Sequence, residues 1–272
     1  MATFNSIKSD KLSRLIGTPN APTLIDVRTE EDFKADPHLI PTSVKQNHKT
    51  VMDWGKNYAG KSVIVICHHG AKLSEGTAAW LRHLGADVNS LEGGFVAWQE
   101  ANLPLVPIAK LPPRDNNGRT LWVTRSRPKI DRIACPWLIR RFIDPSAVFL
   151  FVAPQEVLAV ADRFDATAFD VENTHWSHRD NLCTFDVMVS EFGLASEAML
   201  HLATIVRAAD TAQLGLAPEA AGLIAVSLGL SRMYSDDLEQ LDAGMLLYDA
   251  FYRWCRDATD ETHNWPTNKP QS

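Results

Sequence analysis

The sequence predicts an α/β first domain, a parallel sheet with helices on both faces, followed by a mostly helical α+β second domain. Two observations carry this reading. Over the first hundred residues, short β-branched runs alternate with amphipathic segments, the pattern of strand–helix–strand units. Beyond a last apolar run near Ala147–Val152, apolar residues recur at three- and four-residue spacing, which gives each helix one buried face. A length of 272 residues suits two cores rather than one. The proline- and asparagine-rich run Leu111-Pro112-Pro113-Arg114-Asp115-Asn116-Asn117-Gly118 marks the join. The expected domains are residues 1–108 and 119–272, with a linker at 109–118.

In the first domain the pattern predicts a helix over Asp10–Ile16, strands at Thr23–Val27 and Ser62–Ile66, and a helix over Glu75–Leu84. A weaker strand at Val88–Leu91 then meets Gly93-Gly94 and a short helix over Phe95–Glu100. The second domain opens with a strand at Thr120–Thr124, a helix over Asp131–Phe142 capped by Asp131, and a strand at Ala147–Val152. Helices are expected near Ser196–Ala209, Pro218–Leu228 and Asp236–Arg256.

With 45% hydrophobic and 22% charged residues the composition is that of a folded globular chain. A net charge of −6 and a pI near 5.8 argue against nucleic acid or an anionic membrane as partner. The first residues hold no apolar leader core, and no apolar run approaches membrane-spanning length, so a cytoplasmic protein is expected. The four cysteines, Cys67, Cys135, Cys183 and Cys255, are widely spaced without a C-x-x-C pair, so reduced thiols are expected rather than a disulfide framework or zinc knuckle. Oligomeric state is not set by any of these features.

The chemistry concentrates in Val63-Ile64-Val65-Ile66-Cys67-His68-His69-Gly70-Ala71-Lys72-Leu73-Ser74, where a buried strand empties into a short loop and then a helix. That placement suits a reactive thiolate, because loop amides and the helix amino end supply positive potential. A thiol nucleophile that attacks an anionic substrate needs that potential. His68, His69, Gly70, Ala71, Lys72 and Leu73 are therefore the expected substrate-binding residues around catalytic Cys67.

In order along the chain, Leu24-Ile25-Asp26-Val27-Arg28 with Phe33, His38-Leu39-Ile40-Pro41, Cys67-His68-His69-Gly70-Ala71-Lys72 and Leu91-Glu92-Gly93-Gly94-Phe95-Val96-Ala97-Trp98 resemble a single rhodanese (sulfurtransferase) domain from about Asp10 to Pro104. The resemblance implies a rhodanese-like sheet and a persulfide on Cys67. Its partners would be a small sulfur donor such as thiosulfate and a thiol or cyanide-like acceptor, and sulfur transfer would need no cofactor. Asp26 and Arg28 would stand near the loop as a brace. Rhodaneses commonly carry arginine where this chain has Lys72, which implies a looser grip on a sulfonate. The related phosphatases and arsenate reductases of the Cys-x5-Arg type would need arginine at position 73, where this chain has Leu73.

The run Ile130-Asp131-Arg132-Ile133-Ala134-Cys135-Pro136-Trp137-Leu138-Ile139-Arg140-Arg141, with Phe169-Asp170, His178, Cys183-Thr184-Phe185-Asp186, Arg207 to Asp210 and Tyr248-Asp249-Ala250, resembles the carboxyl-terminal domain of the chromate-resistance regulator family. The resemblance implies a link between sulfur chemistry and chromate or oxyanion stress. Arg132 and Arg140, eight residues apart on one expected helix, are candidate oxyanion ligands. His178, Asp186, His201 and Asp210, with Asp170 and Glu172 as further candidates, offer nitrogen and oxygen donors for a divalent transition metal. The alternative to an enzyme is therefore a non-catalytic sensor that binds an oxyanion or a metal in chromate resistance.

Overall fold

The computed structural model describes residues 5–261. The outermost residues of both expected domains, 1–4 and 262–272, lie outside the described residues. The first domain comprises β1 (Ser6–Ile7), α1 (Ser9–Leu15), β2 (Thr23–Asp26), α2 (Glu30–Ala35), β3 (His38–Leu39), β4 (Val44–Lys45), α3 (Val51–Trp54), β5 (Ser62–Ile66), α4 (Lys72–His83), β6 (Asp87–Leu91), α5 (Gly94–Glu100) and β7 (Val106–Pro107). The second comprises β8 (Leu121–Arg125), α6 (Asp131–Leu138), β9 (Val148–Val152), α7 (Val157–Phe164), β10 (Thr167–Ala168), α8 (Thr184–Glu191), α9 (Glu197–Asp210), α10 (Ala220–Met233) and α11 (Asp237–Asp257).

The first sheet has the order β1-β6-β5-β2-β4 and is parallel throughout, as strand–helix–strand connections require. Its central strand β5 reads Ser-Val-Ile-Val-Ile and is buried on both faces, so its β-branched residues are the natural choice. The register Asp26 to Ile66 brings the carboxyl ends of β2 and β5 together, and Cys67 follows at that edge. The second domain holds a smaller parallel sheet, β10-β8-β9, with helices packed around it.

The two domains share a core. Leu12, Ile16 and Trp98 of the first lie in one apolar cluster with Phe142, Met199 and Tyr252 of the second. The Thr42 amide donates to the Phe142 carbonyl at 2.9 Å, and Arg256 donates to the Arg14 carbonyl at 3.1 Å. Cys67 belongs to a separate cluster built only from first-domain residues, Val27, Val63, Val65 and Ala78 among them.

Two local readings are corrected. The helix after Cys67 begins at Lys72, three residues earlier than Glu75, so Lys72 and Leu73 form its first turn. Asp131 is the first residue of α6 but does not cap it; the flanking residue is Ile130, and the Asp131 carboxylate turns away to accept from the Thr184 amide at 2.6 Å. That helix also does not run evenly to Phe142. Pro136 interrupts the hydrogen-bond ladder, and Ile139–Ile143 continues as a wider π-type turn.

Candidate active site and an acidic cluster in the second domain

Cys67 sits where β5 ends, 4% exposed, with its thiol donating to Ser74 Oγ at 3.3 Å. Ser74, fully buried in the first turn of α4, donates in turn to the Ala71 carbonyl at 3.0 Å. The loop is bolted down from beneath: the Phe95 and Val96 amides, at the start of α5, donate to the Cys67 and His68 carbonyls at 2.9 and 3.1 Å. With those carbonyls turned inward, the amides of residues 68–74 donate to no backbone partner among the described residues and remain available to an anion. Gly70 (φ +65°) is required by this packing, since a Cβ there would stand 2.5 Å from the Leu91 carbonyl oxygen. Lys72 and His69 are exposed, His68 half-buried, and the two imidazoles meet edge to face at 4.4 Å.

Asp26 and Arg28 form a buried pair. Arg28 Nε donates to Asp26 Oδ2 at 2.8 Å, its amide donates to Oδ1 at 2.9 Å, and its guanidinium lies 3.6 Å from the Phe95 ring centroid. It also donates to the Asp36 carbonyl at 3.2 Å and to that of His38. All of these partners belong to the scaffold, so the pair joins β2, the segment before β3 and α5 into one support for the Cys67 loop. Beside it, at the carboxyl ends of β2 and β4, a cavity of about 310 Å³ is lined by Arg28, Lys45, His48 and Lys49, with Glu30 as the acidic member.

In the second domain the structure draws His178, Asp210, Asp170 and Asp131 together. His178 Nε2 lies 3.1 Å from Asp210 Oδ2 and 3.5 Å from both Asp170 Oδ1 and Asp131 Oδ2. Asp131 is fully buried; burial first, then repulsion from Asp210 and Asp170, pushes its carboxyl well above the usual range. Burial also raises Asp210. For Asp170 burial opposes ionisation, but hydrogen bonds from His178 and Arg125 outweigh it and hold that carboxyl low. His178 is raised to about 9, chiefly through its contact with Asp170.

The other expected metal donors lie elsewhere. Asp186 accepts from the Cys183 amide at 3.1 Å and from Arg207 at 3.0 Å, closing the start of α8. The His201 ring packs 5.3 Å from that of Trp254 and lines a different cavity of about 490 Å³ between the domains. Arg132 and Arg140 do not share a face either, because the π-type turn breaks the helical phase between them. Arg132 Nε approaches Asp170 Oδ2 at 3.3 Å, whereas Arg140 pairs with Asp242 at 3.0 Å.

Comparison with known proteins agrees with this architecture. The rhodanese-like domain model matches residues 8–101, and the model of the ChrB C-terminal domain matches residues 122–255. The thiosulfate sulfurtransferase GlpE of Pseudomonas savastanoi is 36% identical over 101 residues, 36% of this chain and 91% of that protein. The chain belongs to the rhodanese-like sulfurtransferase family, and its second domain is a ChrB C-terminal domain. GlpE of Vibrio cholerae is 34% identical over 83 residues, 30% of this chain and 76% of that protein. Protein ChrB of Cupriavidus metallidurans is 34% identical over 146 residues, 53% of this chain but 43% of that protein, so the chain spans under half the length of ChrB.

Within the ChrB C-terminal domain the thiols are sealed. Cys135 and Cys183 are fully buried, and burial pushes both far above the ordinary thiol range; Cys255 is raised to about 11 by burial as well. These three thiols are held in their neutral form, as packing residues. Among the described residues no hydrogen bond or ring contact of the rhodanese-like loop reaches the ChrB C-terminal domain, and no helix is long and apolar enough to cross a membrane.

Two residues of the acidic cluster were weakly marked in the sequence, Asp170 as a further candidate donor and Asp131 not as a donor at all. Asp131 looks like a helix cap, and Asp170 follows a strand of only two residues, too short to show a period.

Proposed function

We propose that this protein is a sulfurtransferase that carries sulfane sulfur as a persulfide on Cys67, moving it from a thiosulfate-type donor to a thiophilic acceptor in the context of chromate or other oxyanion stress. The observation that carries the reading is the loop itself, a thiol at the end of β5 ringed by unpartnered amides and fixed to α5 through its carbonyls.

The chemistry follows from those groups. The Cys67 thiolate attacks the outer sulfur of thiosulfate; a new S–S bond forms, the old one breaks, and sulfite leaves with the bonding pair. Amides of residues 68–73 and the amino end of α4 face the charge shared by the sulfonate and the persulfide. Lys72 and, when protonated, His69 add positive potential at the exposed rim. Cyanide or a thiolate then attacks the terminal sulfur, takes it as thiocyanate or a persulfide, and returns Cys67 as thiolate. The ChrB C-terminal domain supports the oxyanion-stress context, since the ChrB relative shares it.

Intact-mass measurement after thiosulfate treatment tests the reading. The wild type should gain one sulfur atom and lose it to cyanide as thiocyanate, and Cys67→Ser should gain none. Absence of a Cys67-dependent gain overturns it.

A further inference from the structure

The carboxyl edge of the small parallel sheet is a natural ligand position. β8 connects through α6 to β9 on one side, while β10 returns to the other side of β8, so the strand order reverses between β8 and β10. Arg125 ends β8, Asp131 opens the helix after it, and Asp170 follows β10. His178 and Asp210, the last residue of α9, close the same edge.

We infer that Asp131, Asp170 and His178 form a binding site for a divalent first-row transition cation, with Asp210 Oδ2 against His178 at its edge. Ligand bonds of about 2.0–2.2 Å place neighbouring donor atoms roughly 2.9–3.6 Å apart around a common ion. The separations from His178 Nε2 to Asp170 Oδ1 and Asp131 Oδ2, 3.5 Å each, fall in that interval, and the donor atoms of the three residues all converge within 4.8 Å of one another. A purely hydrogen-bonded arrangement fits less well, because one Nε2–H serves one acceptor at a time and three carboxylates converge on it. The decisive atom is Asp131 Oδ1. Its residue is fully buried at the cluster, yet this oxygen has no hydrogen-bond partner, a costly state for a carboxylate that a cation relieves.

The surroundings also behave as supports of a metal centre. Arg125 and Arg132 hold Asp170 Oδ2 at 2.9 and 3.3 Å, and Thr184 Oγ1 donates to Asp170 Oδ1 at 3.1 Å. The Thr184 amide fixes Asp131 Oδ2 at 2.6 Å. The β8–α6 connection that delivers Asp131 is clamped from behind, with Tyr248 donating to the Ile130 carbonyl at 3.0 Å and Gln240 to that of Pro128 at 2.6 Å. One imidazole and two carboxylates suit Mn²⁺, Co²⁺ or Zn²⁺ rather than a soft ion. His178, with a side chain 42% exposed, leaves one side open to solvent and further ligands.

The test uses the full chain, dialysed against chelator and then titrated calorimetrically with Mn²⁺, Co²⁺ and Zn²⁺, with Co²⁺ also followed by its visible absorption. The wild type should take up one equivalent of at least one ion, with an absorption band for bound Co²⁺. His178→Gln, at an exposed position that does not threaten folding, and Asp170→Asn should each weaken binding at least about tenfold and remove the band. His201→Ala should bind as the wild type does. The inference is overturned if the folded wild type takes up none of the three ions, or if folded His178→Gln and Asp170→Asn bind them unchanged.

Discussion

Cys67 Sγ and Ser74 Oγ stand 3.3 Å apart at the mouth of α4, with the serine hydroxyl also within 3.0 Å of the Ala71 carbonyl. The serine hydroxyl can rotate between carbonyl and sulfur, so it can accept from a neutral thiol and donate to an anionic sulfur. Ser74→Ala removes that donor at a fully buried position with little change in volume. Sulfur loading from thiosulfate should slow by about three- to tenfold, the equivalent of one ordinary hydrogen bond. Stopped-flow measurement of the loading step checks this, and an unchanged rate removes Ser74 from the mechanism.

Lys72 begins α4 at the exposed rim and makes no ion pair among the described residues. An arginine there offers two parallel donors to a sulfonate where lysine offers a point charge. Lys72→Arg should therefore raise kcat/KM for thiosulfate by about three- to tenfold. Cyanide-dependent thiocyanate formation is the measurement, and lower activity in the arginine variant counts against this role.

Gly94 faces Gly70 back to back. A Cβ at Gly94, whose φ is +62°, would collide with the Cys67 carbonyl and the Gly70 amide. Because those atoms are backbone, the loop itself would have to move. Gly94→Ala should cost about 1–3 kcal/mol of stability and most of the sulfur loading, since the hydrogen bonds from Phe95 and Val96 depend on the same contact. Denaturant unfolding together with intact-mass analysis separates the two losses, and full loading in the folded variant would show the loop to be more tolerant than its packing implies.

Arg28 is 1% exposed and every partner it has is structural. Removing it leaves the Asp26 charge buried without compensation, so Arg28→Met should destabilise by about 3–5 kcal/mol. The double variant Asp26→Leu with Arg28→Met should recover much of that loss, because no lone charge remains. Denaturant midpoints of the three proteins decide, and a double variant no better than the single one would contradict the brace.

How far the sequence could be read depended on whether a residue's role was local. Cys67 was legible because a β-branched strand, a loop glycine and a helix are contiguous around it, and the parallel sheet was legible from β2, β5 and β6. The short strands β3, β4, β7 and β10 were not, since two residues carry no period. The His178–carboxylate cluster was half legible. His178, Asp210 and Asp170 were named as candidate donors and stand together, whereas Asp131 was taken for a cap, and Asp186 and His201 make their contacts elsewhere. Only the return of β10 beside β8 brings Asp170 to Asp131, and no spacing along the chain encodes that pairing. Arg132 and Arg140 were misread for a related reason: Pro136 and the π-type turn change the helical phase between them.

Glu191, at the end of α8, joins the domains by pairing with Lys110 from the connecting segment, and also holds Arg179 at 2.6 Å. These partners, Lys110 first, hold its carboxyl down at about 2. A carboxyl lowered on folding stabilises the native state above its unfolded value near 4.5, and that contribution is lost as pH falls toward about 2. Both cationic partners are about two-fifths exposed, so solvent screening limits the effect to about 1 kcal/mol at neutral pH. Glu191→Gln should therefore be less stable than the wild type by about that amount at neutral pH, and the gap should close between pH 4.5 and about 2. Paired urea unfolding across this range measures it. A gap that stays constant into acid would assign the loss to packing at the domain junction rather than to charge.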